Sequence, residues 1–215
     1  MDYKKIVLVI GLWVIIWIPA AGASQSQKEV PGVVSEAKAI ATGLDKDLQK
    51  ARESFLKKDL KASAAAIRKG AAYFKSLGEQ AQEKGKQALL TSQEELENLA
   101  DRVEKGAVKS VKEIDRTFAR TSHALARYHY DMAKESWAMK ETARTGQDLE
   151  AAGAHLESAV KQAGGKAENS AGPVIQETRL LAGKLLQGAG WVNAEVEKGI
   201  KALGVEIDKL GEKVR

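Results

Sequence analysis

The 215-residue chain is predicted to be all-α on three grounds. Apolar residues recur at three- and four-residue steps from about residue 33 almost to the end, and no stretch sustains the period-two alternation of a strand. Aromatic residues make up only 5% of positions and there are three prolines, in a chain rich in Ala, Glu, Lys and Leu, which argues against a β-sandwich. Glycine, aspartate and serine cut the periodic sequence into pieces of helix length. The chain has no cysteine, which excludes a disulfide framework, a thiolate metal site, a cysteine nucleophile and a covalently attached c-type haem.

Met1–Ala23 reads as a secretory signal. A short basic start with Lys4 and Lys5 precedes the unbroken apolar run Ile6–Ile18, Pro19 breaks that run, and Ala21-Gly22-Ala23 supplies the small residues for cleavage after Ala23. A retained N-terminal membrane anchor is the alternative, since Ile6–Ala23 approaches the about 20 apolar residues of a spanning helix. Cleavage removes Lys4, Lys5 and Asp2 and lowers the net charge from +5 to +4. Both signs are interspersed along the helices, unlike the concentrated basic face of a nucleic-acid binder. The segment 24–32 (SQSQKEVPG) reads as a flexible lead-in.

Each helix follows from its punctuation. Ser35 caps a first helix to about Lys58, and Asp59 caps a second that ends at Gly85. A third runs from about Lys86 to Lys105 and stops at Gly106. Ser110-Val111-Lys112-Glu113 is a capping box that opens a fourth from Val111 to about Thr145. Gly146 stops that helix, and Asp148 caps a fifth to about Ala163. Gly164–Gly172 reads as a linker, and Pro173 suits the first turn of a long last helix to the C-terminus. The expected architecture is therefore an antiparallel bundle of five or six helices, with 33–163 as its body, followed by a linker (164–172) and a C-terminal amphipathic helix (173–215).

An internal repeat organises the bundle. Ala51-Arg52-Glu53-Ser54-Phe55 is echoed by Ala133-Lys134-Glu135-Ser136-Trp137, and Asp59-Leu60-Lys61-Ala62 by Asp148-Leu149-Glu150-Ala151. Seven extra residues separate the aromatic from the aspartate in the second copy, two helical turns that keep the buried face in register. Two related helical hairpins are expected. The helix, the short Lys/Asp turn and the D-L-x-A start of the next helix resemble a tetratricopeptide-type hairpin, without its fixed period. More loosely, Leu48–Tyr73 and Ala133–Val160 are similar to the small exported all-helical YfdX-type bacterial proteins. That resemblance implies a helical fold and an exported, periplasmic or secreted location, and bears on these more than on activity.

Phe118, Ser122, Leu125, His129, Met132, Ser136 and Met139 share one helical face, which directs His129 and Met132 inward. Imidazole and thioether there can ligate haem or a soft metal; the plainer alternative is a core histidine with methionine filling a gap. His155 can approach His129 if the two helices are antiparallel, which makes His129 and His155 candidates for a divalent metal, with Asp131 or Glu157 as the carboxylate. His123, Arg127 and Tyr130 form another face, suited to a carboxylate or phosphate or to packing on a neighbouring helix. No G-x-S-x-G, H-E-x-x-H or phosphate-cradling glycine loop is present, so no enzymatic activity is expected.

Val192, Val196, Leu203, Ile207 and Leu210 lie on a near-heptad seam, with Gly183, Gly190, Gly204 and Gly211 in a seven-residue register. As one straight helix, Val174–Val214 would extend about 60 Å. The seam is the expected contact for an envelope protein partner or for self-association. Its mixed charges suit a protein better than contact with a membrane surface. The function expected is a non-enzymatic envelope binding or scaffolding module, with a role in stress as part of that expectation. Its alternative is a bundle that binds haem or a divalent metal. On the seam reading, Leu203→Asp and Ile207→Asp abolish association and leave the bundle folded.

Overall fold

The computed structural model describes residues 31–164 and 168–214, with side chains from Gly43 onward outside Lys84 and 165–170. The expected signal sequence and positions 24–30 of the lead-in lie outside the described residues. Pro31–Arg215 forms one compact unit. Its described residues hold seven helices and no strand: α1 (Pro31–Leu56), α2 (Leu60–Gln80), α3 (Glu83–Glu104), α4 (Val111–Ala138), α5 (Thr142–Gln162), α6 (Glu168–Gln187) and α7 (Asn193–Val214). The all-α class holds, with seven helices in place of five or six. No described helix is long and apolar enough to cross a membrane.

Polar side chains start two helices as the sequence predicts. The Asp59 carboxylate accepts the Ala62 backbone N–H at 3.0 Å, and the Ser110 hydroxyl accepts that of Lys112 at 3.2 Å. Glu113, the second half of the expected capping box, pairs instead with Arg102.

Other boundaries move, each for a physical reason. Ser35 lies inside α1, which starts at Pro31, a residue suited to a first helical turn. Gly85 lies in the first turn of α3, where a Cβ would stand 2.6 Å from the Tyr128 ring. Gly146 lies inside α5, where a Cβ would stand 3.0 Å from the Ala182 carbonyl oxygen. Both glycines make room for a neighbouring helix and stop nothing. α6 covers Glu168–Gly172 of the expected linker and carries Pro173 in its interior, with Ala171 buried beside it. The long C-terminal helix is two helices. Gly188 (φ 70°) and Gly190 (φ 78°) take the left-handed conformation that ends α6 and turns the chain into α7.

Two turns share one geometry. Lys58 (φ 62°) and Lys140 (φ 61°) are the only described non-glycine residues with positive φ. Each closes a Schellman motif: Lys58 N–H to Phe55 O and Asp59 N–H to Ser54 O, then Lys140 N–H to Trp137 O and Glu141 N–H to Ser136 O. Gly106 and Gly188, separated by the same offset, close α3 and α6 in the same way. At that offset from Asp59 stands Glu141, directly before α5, and not Asp148. Asp148 lies inside α5 and caps nothing.

The buried positions repeat at the same spacing. Ile67, Phe74, Leu99, Ile114, Phe118 and Leu125 have as counterparts Leu149, Leu156, Leu181, Val196, Ile200 and Ile207, and all twelve are buried. The first six belong to an apolar core built by α1–α4 and the second six to a core built by α4–α7. α4 serves both. Its Ile114, Phe118 and Leu125 face the first core, and Ala119, Ala126 and Ala133 face the second. On α7 the positions at that offset from Ala119 and Ala126 are the exposed Lys201 and Asp208.

Candidate functional site

The structure brings His129 and His155 together between α4 and α5. Their rings stack with centroids 5.5 Å apart and planes 15° from parallel. Tyr128 meets His129 edge-on at 5.1 Å. The nearby carboxylate is Asp148, with Oδ1 3.6 Å from His129 Nδ1 and Oδ2 3.4 Å from the Ser136 hydroxyl. The two carboxylates expected there sit elsewhere, Asp131 by Lys134 and Glu157 on Arg179 and Lys161. His155 is 1% exposed, and burial, reinforced by His129, pushes its imidazole down to about 3. Its Nε2 and the Nδ1 of His129 are buried without a hydrogen-bond partner in the described structure. Burial, with Asp148 adding to it, raises the Tyr128 phenol.

Among the described residues no three His, Asp or Glu side chains converge as a donor set. Met132 lines a surface groove with Gln82, Gly85, Tyr128 and Glu135. His129 and Met132 are both half-buried and lie three residues apart on α4. Met139, placed on the same inward face, lies just past the end of α4 and is 57% exposed.

α7 covers the His123–Arg127–Tyr130 face. His123 Nε2 lies 2.9 Å from the Ile207 carbonyl oxygen and Arg127 donates to Asp208 at 2.6 Å. A Cβ on Gly204 would stand 2.5 Å from the Tyr130 hydroxyl oxygen, and one on Gly211 2.9 Å from His123 Nε2. Tyr130 with Gly204 and His123 with Gly211 run in opposite chain directions, so α4 and α7 are antiparallel. The expected glycine stripe serves several ends: Gly204 and Gly211 admit α4 side chains, Gly190 turns the chain, and a Cβ on Gly183 would meet nothing within 4 Å.

The partner-binding seam needs the clearest correction. Val196, Leu203, Ile207 and Leu210 are buried in the second core, and of the five seam residues only Val192 is exposed, at 64%. The heptad-like spacing is real, and the surface it fits belongs to the chain's own α4, α5 and α6. The same burial leaves α7 no free apolar face to lay on a membrane.

A feature hidden in the sequence emerges when the two halves are aligned by the Lys58-to-Lys140 offset. Between α3 and α4 runs a groove of about 300 Å³, lined by Glu95, Asn98, Leu99, Arg102, Thr117 and Arg120. Between α6 and α7 runs its counterpart of about 570 Å³, lined at the same positions by Glu177, Leu180, Leu181, Lys184, Gly199 and Ala202. One feature is common to both: Arg102 pairs with Glu113, and Lys184 pairs with Glu195 at 2.5 Å. The rest differs. Arg120 spans the first groove, donating to Glu95 at 3.0 Å and to Thr117 at 3.3 Å. In the second groove Ala202 and Gly199 stand in place of Arg120 and Thr117, and Leu180 in place of Asn98. Leu180 is 70% exposed. The first groove is spanned by its own polar side chains, and the second is larger and exposes more apolar surface. Comparison with protein-family models, with curated proteins and with solved structures returns no match to this chain.

Proposed function

We propose that this protein is a non-enzymatic, exported scaffold of the cell envelope that holds a protein partner by helix-face docking in the α6–α7 groove. Its helical framework arose by doubling of one unit, a reading supported by turns and core positions that pair at one constant offset. Export rests on the basic start, apolar run and Ala-x-Ala of Met1–Ala23, and the chain works in the periplasm or beyond the cell once cleaved after Ala23. The observation that carries docking is the exposed Leu180 in a largely apolar groove whose smaller counterpart has Asn98 at that position and is spanned by Arg120.

A photoreactive phenylalanine analogue placed at Leu180, and separately at Asn98, tests the reading in cells that make the full chain. The expected result is a discrete higher-mass adduct from position 180 and none from position 98. Equal labelling from both, or none from either, would contradict docking in this groove.

A further inference from the structure

We infer that the occupant of the α6–α7 groove is an amphipathic helix of a partner protein, which brings an arginine or lysine to Glu177 and apolar side chains to Leu180 and Ala202. This inference rests on the docking reading and names the partner's chemistry. It follows from what the second groove has lost. In the first groove Glu95 is neutralised from within by Arg120, whose side chain also lines the groove. In the second the acid is kept as Glu177, and the position of its cation is Ala202. Among the described residues Glu177 has no ion pair, whereas Lys184 pairs with Glu195 and Arg179 with Glu157.

Lys198 also lines the second groove, whereas its counterpart Arg116 does not line the first. The second groove therefore holds a lysine unpaired among the described residues as well as a carboxylate without its cation, the latter beside an exposed leucine. A basic side chain flanked by apolar ones at three- and four-residue steps supplies both missing parts. Gly183 deepens the approach, since no side chain stands over it and a Cβ there would meet nothing within 4 Å.

The test uses the full chain in cells with the photoreactive residue at position 180, combined with Ala202→Arg, Glu177→Lys or Glu177→Gln. Thermal melts of each purified variant check folding. Ala202→Arg fills the groove and restores the internal pair; Glu177→Lys, at an exposed position, reverses the charge without touching the core. Each is expected to cut the adduct about tenfold with the melt unchanged, and Glu177→Gln to reduce it less. Sequencing of the trapped peptide is expected to find Arg or Lys between apolar residues at helical spacing. An adduct that Glu177→Lys leaves unchanged, a trapped peptide without a basic residue, or an adduct with a second copy of this chain would overturn the inference and leave docking standing. Absence of any adduct in the parent would overturn both.

Discussion

Leu203→Asp is expected to unfold the C-terminal half of the protein, where the seam reading has it merely releasing a partner. Leu203 is fully buried in the core that α7 shares with α4, α5 and α6. A carboxylate there has no cation and no donor set, and an uncompensated buried charge costs about 3–5 kcal/mol. Folding stabilities lie around 5–15 kcal/mol, so this single change removes much of the total. Ile207→Asp is equivalent in its effect. Val192→Asp is the control, because Val192 is 64% exposed and a surface change of this kind shifts stability by about 0.5 kcal/mol or less. Urea titrations followed by circular dichroism separate the cases: a large fall in the midpoint for Leu203→Asp and almost none for Val192→Asp. Equal, small shifts in both would show that α7 does not belong to the core.

Acidification is expected to destabilise the protein steeply, and His155 carries the effect. Its imidazole titrates at about 3 in the fold against 6.5 in the free side chain, because burial, with His129 beside it, opposes the charge. The unfolded chain therefore binds a proton below pH 6.5 that the folded chain refuses until about pH 3. Between those values the proton favours unfolding, and stability falls by up to about 1.4 kcal/mol per pH unit. Asp45 acts in the opposite sense. Burial outweighs its hydrogen bond from Ser158 and raises its carboxyl, so its neutral form suits the fold and its contribution grows as pH falls. His155→Leu removes the imidazole and keeps the volume apolar. Urea midpoints measured from about pH 7 to about pH 4 are expected to drop steadily in the parent and to flatten in His155→Leu. An equally steep acid limb in the variant would assign the effect to other groups.

Part of this fold is plain in the sequence. Asp59 and Ser110 announce helix starts because their side chains accept backbone N–H groups wherever a helix begins. Gly106 announces a stop because its left-handed backbone is the conformation glycine tolerates best. Lys58 and Lys140 close the same motif without any compositional sign, so the turn after α4 stays hidden until the backbone is seen. Gly85 and Gly146 mislead for the converse reason: a glycine under Tyr128 or against Ala182 reads in sequence like a glycine that ends a helix.

The A-x-E-S-aromatic string is visible at Ala51–Phe55 and Ala133–Trp137, but Asp148 resembles Asp59 closely enough to draw the match at the next helix start seven residues past Glu141. His129 and His155 are legible as a pair, and Asp148 is not, because the helix start assigned to it points it elsewhere. Apolar spacing on α7 reveals a buried stripe without revealing whose surface buries it. The α6–α7 groove is illegible for a different reason. It is defined by what Ala202, Gly199 and Leu180 lack relative to Arg120, Thr117 and Asn98, and that comparison needs the register set by Lys58 and Lys140 first.

The claim that α7 is an internal helix of the second core, which leaves docking to the α6–α7 groove, is tested most directly by hydrogen exchange of the intact protein read by mass spectrometry. Amides from Val196 to Leu210 are expected to exchange as slowly as those of α4 and to open only with global unfolding. Complete exchange of that segment within seconds, while α4 and α5 stay protected, would contradict it and return the seam to the surface.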